Sequence, residues 1–394
     1  MEKEIKTQAT CHVCGLNHWL DLPDPTPGRS VTTAGRIIDE SLGKAQCIGC
    51  GFVQRIHAQF LGLADYYEQD YARYYDRPGT AHFHAARYRV FAEWMRSVLK
   101  LRTPSTILDV GCGQGWTMEA MKALYPQARL EGLEPSHHNS EVARQKGFPV
   151  HTCRVSDAAM PQGPYDLVYS NNVLQHTASA RSFITSLKAM IGQDGVIVIT
   201  CPDGSIPNIE ILWADQNFSF LPEHLICLCQ DIGFGTISWF ASPSSASVPP
   251  AQMLFLSKTP AAHKSTDVPP ANRNEIYQSR CNYLTSFRKI DDHISSRAEN
   301  CERVFNFGAS YWSSVLAAYC PAYWQQVSAC LVDYTDHFEN GFLDKAVLPL
   351  NSIQPTDTDA IVLGTSPRTH HTLNEKLVPS WQQVISWDNF AVQC

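Results

Sequence analysis

Positive charge is in short supply. The chain has 31 Lys and Arg against 38 Asp and Glu, a net charge of −7. The basic residues are scattered, so no stripe exists that could track a phosphate backbone, and nucleic acid is not an expected partner. Long apolar runs are also missing. No stretch reaches the about 20 residues needed to cross a bilayer, so no membrane partner is expected either. The opening Met1-Glu2-Lys3-Glu4-Ile5-Lys6 lacks the apolar core of a secretory signal. The expected location is cytoplasmic, where thiols stay reduced. The 14 cysteines in 394 residues are then not a disulfide scaffold; they are free thiols or metal ligands.

What stands out is Thr106-Ile107-Leu108-Asp109-Val110-Gly111-Cys112-Gly113-Gln114-Gly115-Trp116. An apolar, β-branched run leads into three glycines on alternate positions. Helical spacing follows through Met118, Met121, Leu124 and Tyr125. This predicts a buried parallel strand, a tight turn and a helix start. Glycine is needed where a ligand lies against backbone, and the helix start turns free N–H groups toward it. About 20 residues on, Leu130-Glu131-Gly132-Leu133-Glu134-Pro135 reads as the next strand, ending in a carboxylate that can accept both hydroxyls of a ribose. A nicotinamide-type nucleotide unit or a purely structural glycine turn would use similar residues. The stretch Asp109 to Gly115 resembles motif I of class I S-adenosylmethionine (SAM) methyltransferases, D-x-G-x-G-x-G. The resemblance implies that Asp109 orders the loop, that Gly111, Gly113 and Gly115 lie under SAM, and that Glu134 holds its ribose.

Two cysteine knuckles, Cys11-His12-Val13-Cys14-Gly15 and Cys47-Ile48-Gly49-Cys50-Gly51, stand 32 residues apart. Four thiolates at this spacing suit one structural Zn2+ with Cys11, Cys14, Cys47 and Cys50 as ligands. Core thiols or a redox pair are the other uses of such residues. His12 and His18 are bystanders. Pro23, Pro25, Pro27 and Gly28 mark the loop between the knuckles.

Between residues 66 and 75 five tyrosines occur. They form either a packed connector or an aromatic lid that offers hydroxyls, Tyr71 among them, to a substrate. His82, His84 and Arg87 open a helix whose apolar face carries Phe91, Trp94 or Met95, and Val98. Pro149-Val150-His151 starts a third strand, and Asp157 after it stands where SAM enzymes commonly contact adenine; a solvent-facing acid is the other reading. Tyr165 to Asn171 is the fourth strand. Its carboxyl end carries Asn171, Asn172 and His176, placed for substrate because strand ends line the crevice of an open α/β sheet. Gly195 to Thr200 is the fifth strand, and Ile237–Phe240 with Gln252–Leu256 a closing antiparallel pair. Residues 259–274 are rich in Pro, Ala, Ser and Thr and read as a linker. Beyond it, Val304–Ser310, Ala329–Asp333 and Ala360–Thr365 read as a small second α/β domain.

The expected fold is α/β: a class I methyltransferase Rossmann-like sheet with an amino-terminal zinc-binding lobe (1–62) and a small carboxy-terminal α/β domain (275–394) around a SAM domain (63–258). Three parts in this order resemble the sugar C-methyltransferases that act on nucleotide-linked deoxysugars. The resemblance rests on the four cysteines, motif I and Asn171-Asn172-Val173-Leu174-Gln175-His176. It implies methyl transfer from SAM to a small-molecule acceptor, a nucleotide sugar or saccharide; the strand-end placement of His176 and Asn171 and the tyrosine stretch with Tyr71 supply the catalytic candidates. The family carries Glu-His ahead of the last helix, its His removing a proton from carbon; this chain has Asp215-Gln216 there. Either His176 serves as base, or Glu223-His224 takes over, or the acceptor atom is oxygen or nitrogen and needs less help. A non-catalytic or RNA-binding zinc and SAM module is the remaining alternative.

Overall fold

The computed structural model describes residues 4–6, 9–57, 66–71, 81–100, 102–155, 157, 160–243, 250–260, 271–335 and 338–390. Of the expected linker, 259–274, positions 261–270 lie outside the described residues and its last two positions already belong to the helix Arg273–Ala298; positions 58–65 and 72–80 around the tyrosine-rich stretch are also outside.

The amino-terminal strands β1 (Glu4–Lys6), β2 (His18–Asp21), β5 (Lys44–Cys47) and β6 (Val53–Arg55) form an antiparallel sheet, with β3 (Ser30–Val31) and β4 (Ile37–Ile38) as a separate ribbon. The central sheet comprises β7 (Thr106–Val110), β8 (Arg129–Leu133), β9 (Val150–His151), β10 (Tyr165–Asn171), β11 (Ile191–Pro202), β13 (Thr236–Ala241) and β14 (Ala251–Ser257). Its order is β13-β14-β11-β10-β7-β8-β9. Strands β7 to β11 are parallel, and β14 runs antiparallel to both β11 and β13. The closing pair is therefore where the residue pattern put it. One short strand, β12 (Phe218–Ser219), leaves this sheet and pairs with β6 of the amino-terminal sheet instead.

Parallel strands buried on both faces need near-continuous apolar runs, and alternate residues then serve opposite faces. Ile107, Leu167, Tyr169, Val196 and Val198 pack with Phe91 and Met95 of α1 (Ala81–Leu99) and Met118 and Met121 of α2 (Trp116–Leu124). Their neighbours Leu108, Val110, Val168, Ile197 and Ile199 pack on the other face with Phe183, Ile184 and Leu187 of α4 (Ala180–Met190) and Leu225 and Leu228 of α5 (Pro222–Ile232). Between β8 and β9, α3 (His137–Gln145) is capped by Ser136, whose Oγ accepts from Asn139 N. Pro222 opens α5 and Gly233, at φ +80°, closes it.

The carboxy-terminal part holds β15 (Arg303–Phe307), β16 (Val327–Val332), β17 (Ala346–Pro349), β18 (Asp359–Leu363) and β19 (Gln383–Ile385), all parallel, in the order β17-β16-β15-β18-β19. The strands β17 and β19 were not evident in the residue pattern. A 26-residue helix, α6 (Arg273–Ala298), ties the parts together. Its Tyr283, Phe287, Ile290 and Ile294 share one core with Leu22, Val31 and Leu42 of the amino-terminal part and with Val315 and Leu316 of α7 (Tyr311–Tyr319). Its buried Arg280 donates to Gln46 Oε1 (2.5 Å), Gly51 O (2.9 Å) and Gly204 O (2.8 Å).

Candidate active site

The loop after β7 is built by backbone angles. Gly111, Gly113 and Gly115 have φ of +80°, +53° and +79°, all in the left-handed region that side chains disfavour. Gly111 N and Cys112 N both donate to Leu133 O, at 2.7 and 3.1 Å, which folds the loop onto β8. Gly115 is the N-cap of α2 and no side chain caps that helix start. A Cβ on Gly115 would stand 3.3 Å from Ala143 Cβ, so this glycine also lets α3 approach.

Glu134 is 5% exposed at the end of β8. Its Oε2 accepts from Gly113 N and its Oε1 from Ser136 N, both at 2.9 Å. Burial pushes its pKa up to about 7, held back by those two N–H donors. Asp109, 1% exposed below the loop, is pushed up to about 8 by burial; the nearby Tyr169 hydroxyl restrains the shift and the charge of Glu134 adds to it. Among the described residues, Asp109 Oδ2 has no hydrogen-bond partner. A loop of left-handed glycines, a carboxylate at the next strand end and a buried acid with an unfilled acceptor suit the nucleoside and amino-acid parts of SAM.

A cleft with about 980 Å³ of empty space, counting its open mouth, lies over this loop. Its wall takes Thr33 from the amino-terminal part, Tyr67 and Tyr71 from the tyrosine-rich stretch, and Arg87 and Tyr88 from α1. Gly111, Glu134, Asn171, Asn172 and His176 come from the strand ends, Glu210, Trp213 and Gln216 from the segment before α5, and Tyr311 from the first residue of α7. Trp213 and Tyr311 meet edge to face, ring centres 6.4 Å apart.

His176 is the most tightly held of the candidate catalytic residues. Its Nδ1 lies 2.9 Å from Asp215 O and 3.0 Å from the Tyr67 hydroxyl, which itself donates to Asp215 O at 3.0 Å. Burial, then the charge of Asp215, raises the Tyr67 phenol well above its ordinary pKa, so it stays a donor. An imidazole donating from Nδ1 to that carbonyl keeps its lone pair on Nε2. The Asp215 carboxylate is fully buried and 3.7 Å from His176 Nδ1. It accepts from Thr33 N (2.8 Å), Thr33 Oγ1 (2.5 Å) and the Tyr66 hydroxyl (3.2 Å). Tyr71 lies edge-on to His176 at 6.3 Å. Asn171 Oδ1 accepts from Thr200 Oγ1, and its buried Nδ2 has no partner among the described residues.

The other sequence candidates are placed differently. Asp157 is exposed, its Oδ2 accepts from Arg154 N at 2.6 Å, and it is not among the residues lining the cleft. The short strand β9 ends early and the chain carries Asp157 outward. His224 is buried, with Nδ1 accepting from Leu221 N (2.9 Å) and Nε2 donating to Cys50 O (2.8 Å). With both nitrogens engaged and burial lowering its pKa to about 4, it clasps α5 to the cysteine knuckle. Gln216 donates from Nε2 to Glu210 Oε2. Sequence reasoning passed over Glu210, Trp213 and Tyr311, whereas Tyr67 lies in the tyrosine stretch it read as a connector or an aromatic lid.

Outside the lining of the cleft, the four cysteines converge. Cys11 and Cys50 Sγ are 3.6 Å apart, Cys14 and Cys47 Sγ 3.5 Å, and all four sulfurs lie within 4.8 Å of one another. A tetrahedron of thiolates about 2.3 Å from one Zn2+ has edges of about 3.8 Å. Hydrogen bonding to Cys47 holds the Cys11 thiol above its ordinary pKa, Cys50 working against the rise and burial adding to it, while bonds from Cys11 and Cys50 pull Cys47 down. Gly15 (φ +75°) and Gly51 (φ +81°) turn each knuckle.

Residues 82–237 match the family model described as a methyltransferase domain. The chain is 27% identical over 121 residues to malonyl-[acyl-carrier protein] O-methyltransferase of Legionella pneumophila, 29% of this chain and 42% of that protein. It is 30% identical over 132 residues to trans-aconitate 2-methyltransferase of Methylobacterium nodulans, 31% of this chain and 51% of that protein. It thus spans about half the length, or less, of these relatives. The solved structure of magnesium protoporphyrin IX methyltransferase from Synechocystis PCC 6803 with bound SAM aligns with TM-score 0.39 and 16% identity, over 52% of this chain and 100% of that one. The similarity to methyltransferases thus lies in residues 82–237, which match the methyltransferase-domain model.

Proposed function

We propose that this chain moves a methyl group from SAM to a carbohydrate acceptor, a nucleotide-linked deoxysugar in glycan or natural-product synthesis. The observation that carries the reading is one cleft in which Gly111 and Glu134 adjoin Asn171, Asn172 and His176. Bound SAM would supply a methyl already activated by the positive charge on sulfur. The chain then has to align, exclude water and manage one proton. The glycine loop offers bare backbone, and Glu134 offers a carboxylate to the ribose hydroxyls. Asp215 O fixes the tautomer of His176, leaving Nε2 to take the acceptor's proton. Asn171 and Tyr71 orient the acceptor, and the rings of Trp213 and Tyr311 shield it.

The residue aligned with the carbon base of the resembling family is Gln216, and its amide is engaged by Glu210. That favours a second reading, methylation of a saccharide at oxygen or nitrogen, where only a proton on the heteroatom has to leave. Zn2+ would bind Cys11, Cys14, Cys47 and Cys50; a closed four-sulfur shell has no open position, so its part is in folding. The layout proposed is a zinc lobe at 1–62, a SAM domain at 63–258 and a Rossmann-like domain at 275–394.

Mass spectrometry of nucleotide sugars and free saccharides after incubation with methyl-labelled SAM tests this. Label is expected in a nucleotide-linked sugar, and His176→Ala should slow transfer by about 100-fold or more while binding of S-adenosylhomocysteine (SAH) persists. Label only in a carboxylic acid or a protein would overturn the acceptor class, and an undiminished rate in His176→Ala would remove the base.

A further inference from the structure

We propose that Glu210 selects the acceptor: its carboxylate takes a hydroxyl on the rim of the sugar ring and turns carboxylate-bearing molecules away. This rests on the reading of the cleft as a carbohydrate site and names the residue that would read the acceptor's charge.

The side chain is held in place from three sides. Glu210 lies in a short 3-10 turn, Ile209–Leu212, and its N–H donates to Oδ1 of the capping Asn208 at 2.9 Å. The next carbonyl, Ile211 O, accepts from the buried Lys44 Nζ at 2.8 Å. The buried Gln216 donates its Nε2 to Glu210 Oε2. That is the one hydrogen bond of this carboxylate among the described residues, and no Lys, Arg or His there forms an ion pair with it. The other acids are taken. Glu134, the second carboxylate lining the cleft, has an N–H donor on each oxygen. Asp215 is fully buried and accepts from Thr33 twice and from Tyr66. Glu210 is half-buried and brings an open Oε1 to the cleft wall.

A carboxylate has no hydrogen to give, so the group that completes it must be a donor. A second carboxylate there would meet like charge, which suppresses binding of the wrong partner. Trp213, three residues on, and Tyr311 supply two rings to the same cleft. A sugar ring has an apolar C–H face and a rim of hydroxyls. With its face against those rings, its rim can reach Glu210; an apolar wall with a few fixed polar groups is how small-molecule sites set orientation. A hydroxyl donating to an ionised oxygen also makes a stronger bond than one donating to a neutral group.

UDP-glucose and UDP-glucuronate test this. They share nucleotide, diphosphate and ring, and differ in a CH2OH against a carboxylate at one carbon. In any orientation, a charge on a ring seated against Trp213 falls within the about 8–10 Å over which charges are felt at ordinary salt. The experiment is calorimetric titration of the full-length protein saturated with SAH. The wild type should bind UDP-glucose at least about tenfold more tightly than UDP-glucuronate. Glu210→Ala should weaken UDP-glucose by about tenfold to hundredfold, the loss of one charge-assisted bond. Glu210→Gln keeps an acceptor oxygen without the charge, so it should spare more of that affinity and bring the two sugars within about threefold of each other. SAH should bind all three proteins alike. Equal wild-type affinity for the two sugars overturns the charge selection, and undiminished UDP-glucose binding in Glu210→Ala overturns the hydroxyl contact. Equal weakening of both sugars in Glu210→Gln overturns the proposal as well, because the effect would then lie in the fold of the turn. A wild-type protein that binds SAH and neither sugar overturns the carbohydrate reading, and one that does not bind SAH overturns the SAM reading; the role of Glu210 falls with either.

Discussion

Replacing Gly111 with alanine should separate two demands that the loop after β7 makes. One is on the backbone: at φ +80° an L side chain costs about 1–2 kcal/mol. The other is on space. The added methyl would stand 2.3 Å from Val173 Cγ2 and 3.3 Å from Cγ1, well inside ordinary contact. Overpacking of this kind costs about 1–3 kcal/mol, so Gly111→Ala should destabilise by about 2–5 kcal/mol in all. Val173→Ala removes both γ carbons and leaves only Cβ, at 3.4 Å. The double variant should regain the steric part and keep the backbone part, a favourable coupling of about 1–3 kcal/mol. Denaturant unfolding of the wild type, both single variants and the double variant measures this, with SAH titration alongside. Strictly additive effects would refute the packing argument, and a Gly111→Ala protein as stable as the wild type would refute the whole account of the loop.

Two further outcomes concern the buried acids and the cysteines. Glu134 rises from 4.5 to about 7 and Asp109 from 3.8 to about 8 on folding, both chiefly through burial. Between those limits the folded chain holds protons that the unfolded chain has released, so ligand-free stability should fall as pH rises from about 4.5 to 7. Glu134→Gln should flatten part of that slope, and SAH should bind the wild type more tightly as Glu134 ionises; denaturant midpoints across the range check the first, and a variant slope as steep as the wild type's contradicts it. Elemental analysis of freshly purified reduced protein should find one zinc per chain at the four-sulfur cluster, and Cys47→Ser should lose both the metal and several degrees of melting temperature. Metal-free protein with an unaltered melt would dispose of the zinc.

The glycine-loop side of the cleft was legible in the chain because it is local. Asp109, the three glycines and Glu134 lie within 26 residues, and their spacing alone forces a strand, a left-handed loop and an acid one strand over. Each cysteine knuckle was legible because its C-x-x-C spacing is local, although the two meet across 32 intervening residues. The His176 side was not, because its contacts are distant. Asp215 is 39 residues from His176 and 182 from Thr33, and Tyr311 comes from another sheet's first helix. Only the packing of three sheets brings them together. Asp157 sits after a strand of just two residues, so a position that looked right in sequence points to solvent. The strands β17 and β19 escaped notice because four and three residues of mixed exposure carry no alternation.

The departure of Phe218 and Ser219 from the central sheet has a mechanical consequence. Paired with Gln54 and Val53, they carry the preceding residues with them: Ile211 O and Ala214 O are gripped by Lys44 Nζ and Arg55 Nη1 at 2.8 and 2.6 Å. The two jaws of the cleft are thus mounted on different frames. The glycine jaw belongs to the parallel sheet, and the jaw of Glu210, Trp213 and Gln216 is bolted to the cysteine-bearing one. On the proposed reading, remodelling the second frame would change the acceptor while the first kept its hold on the donor.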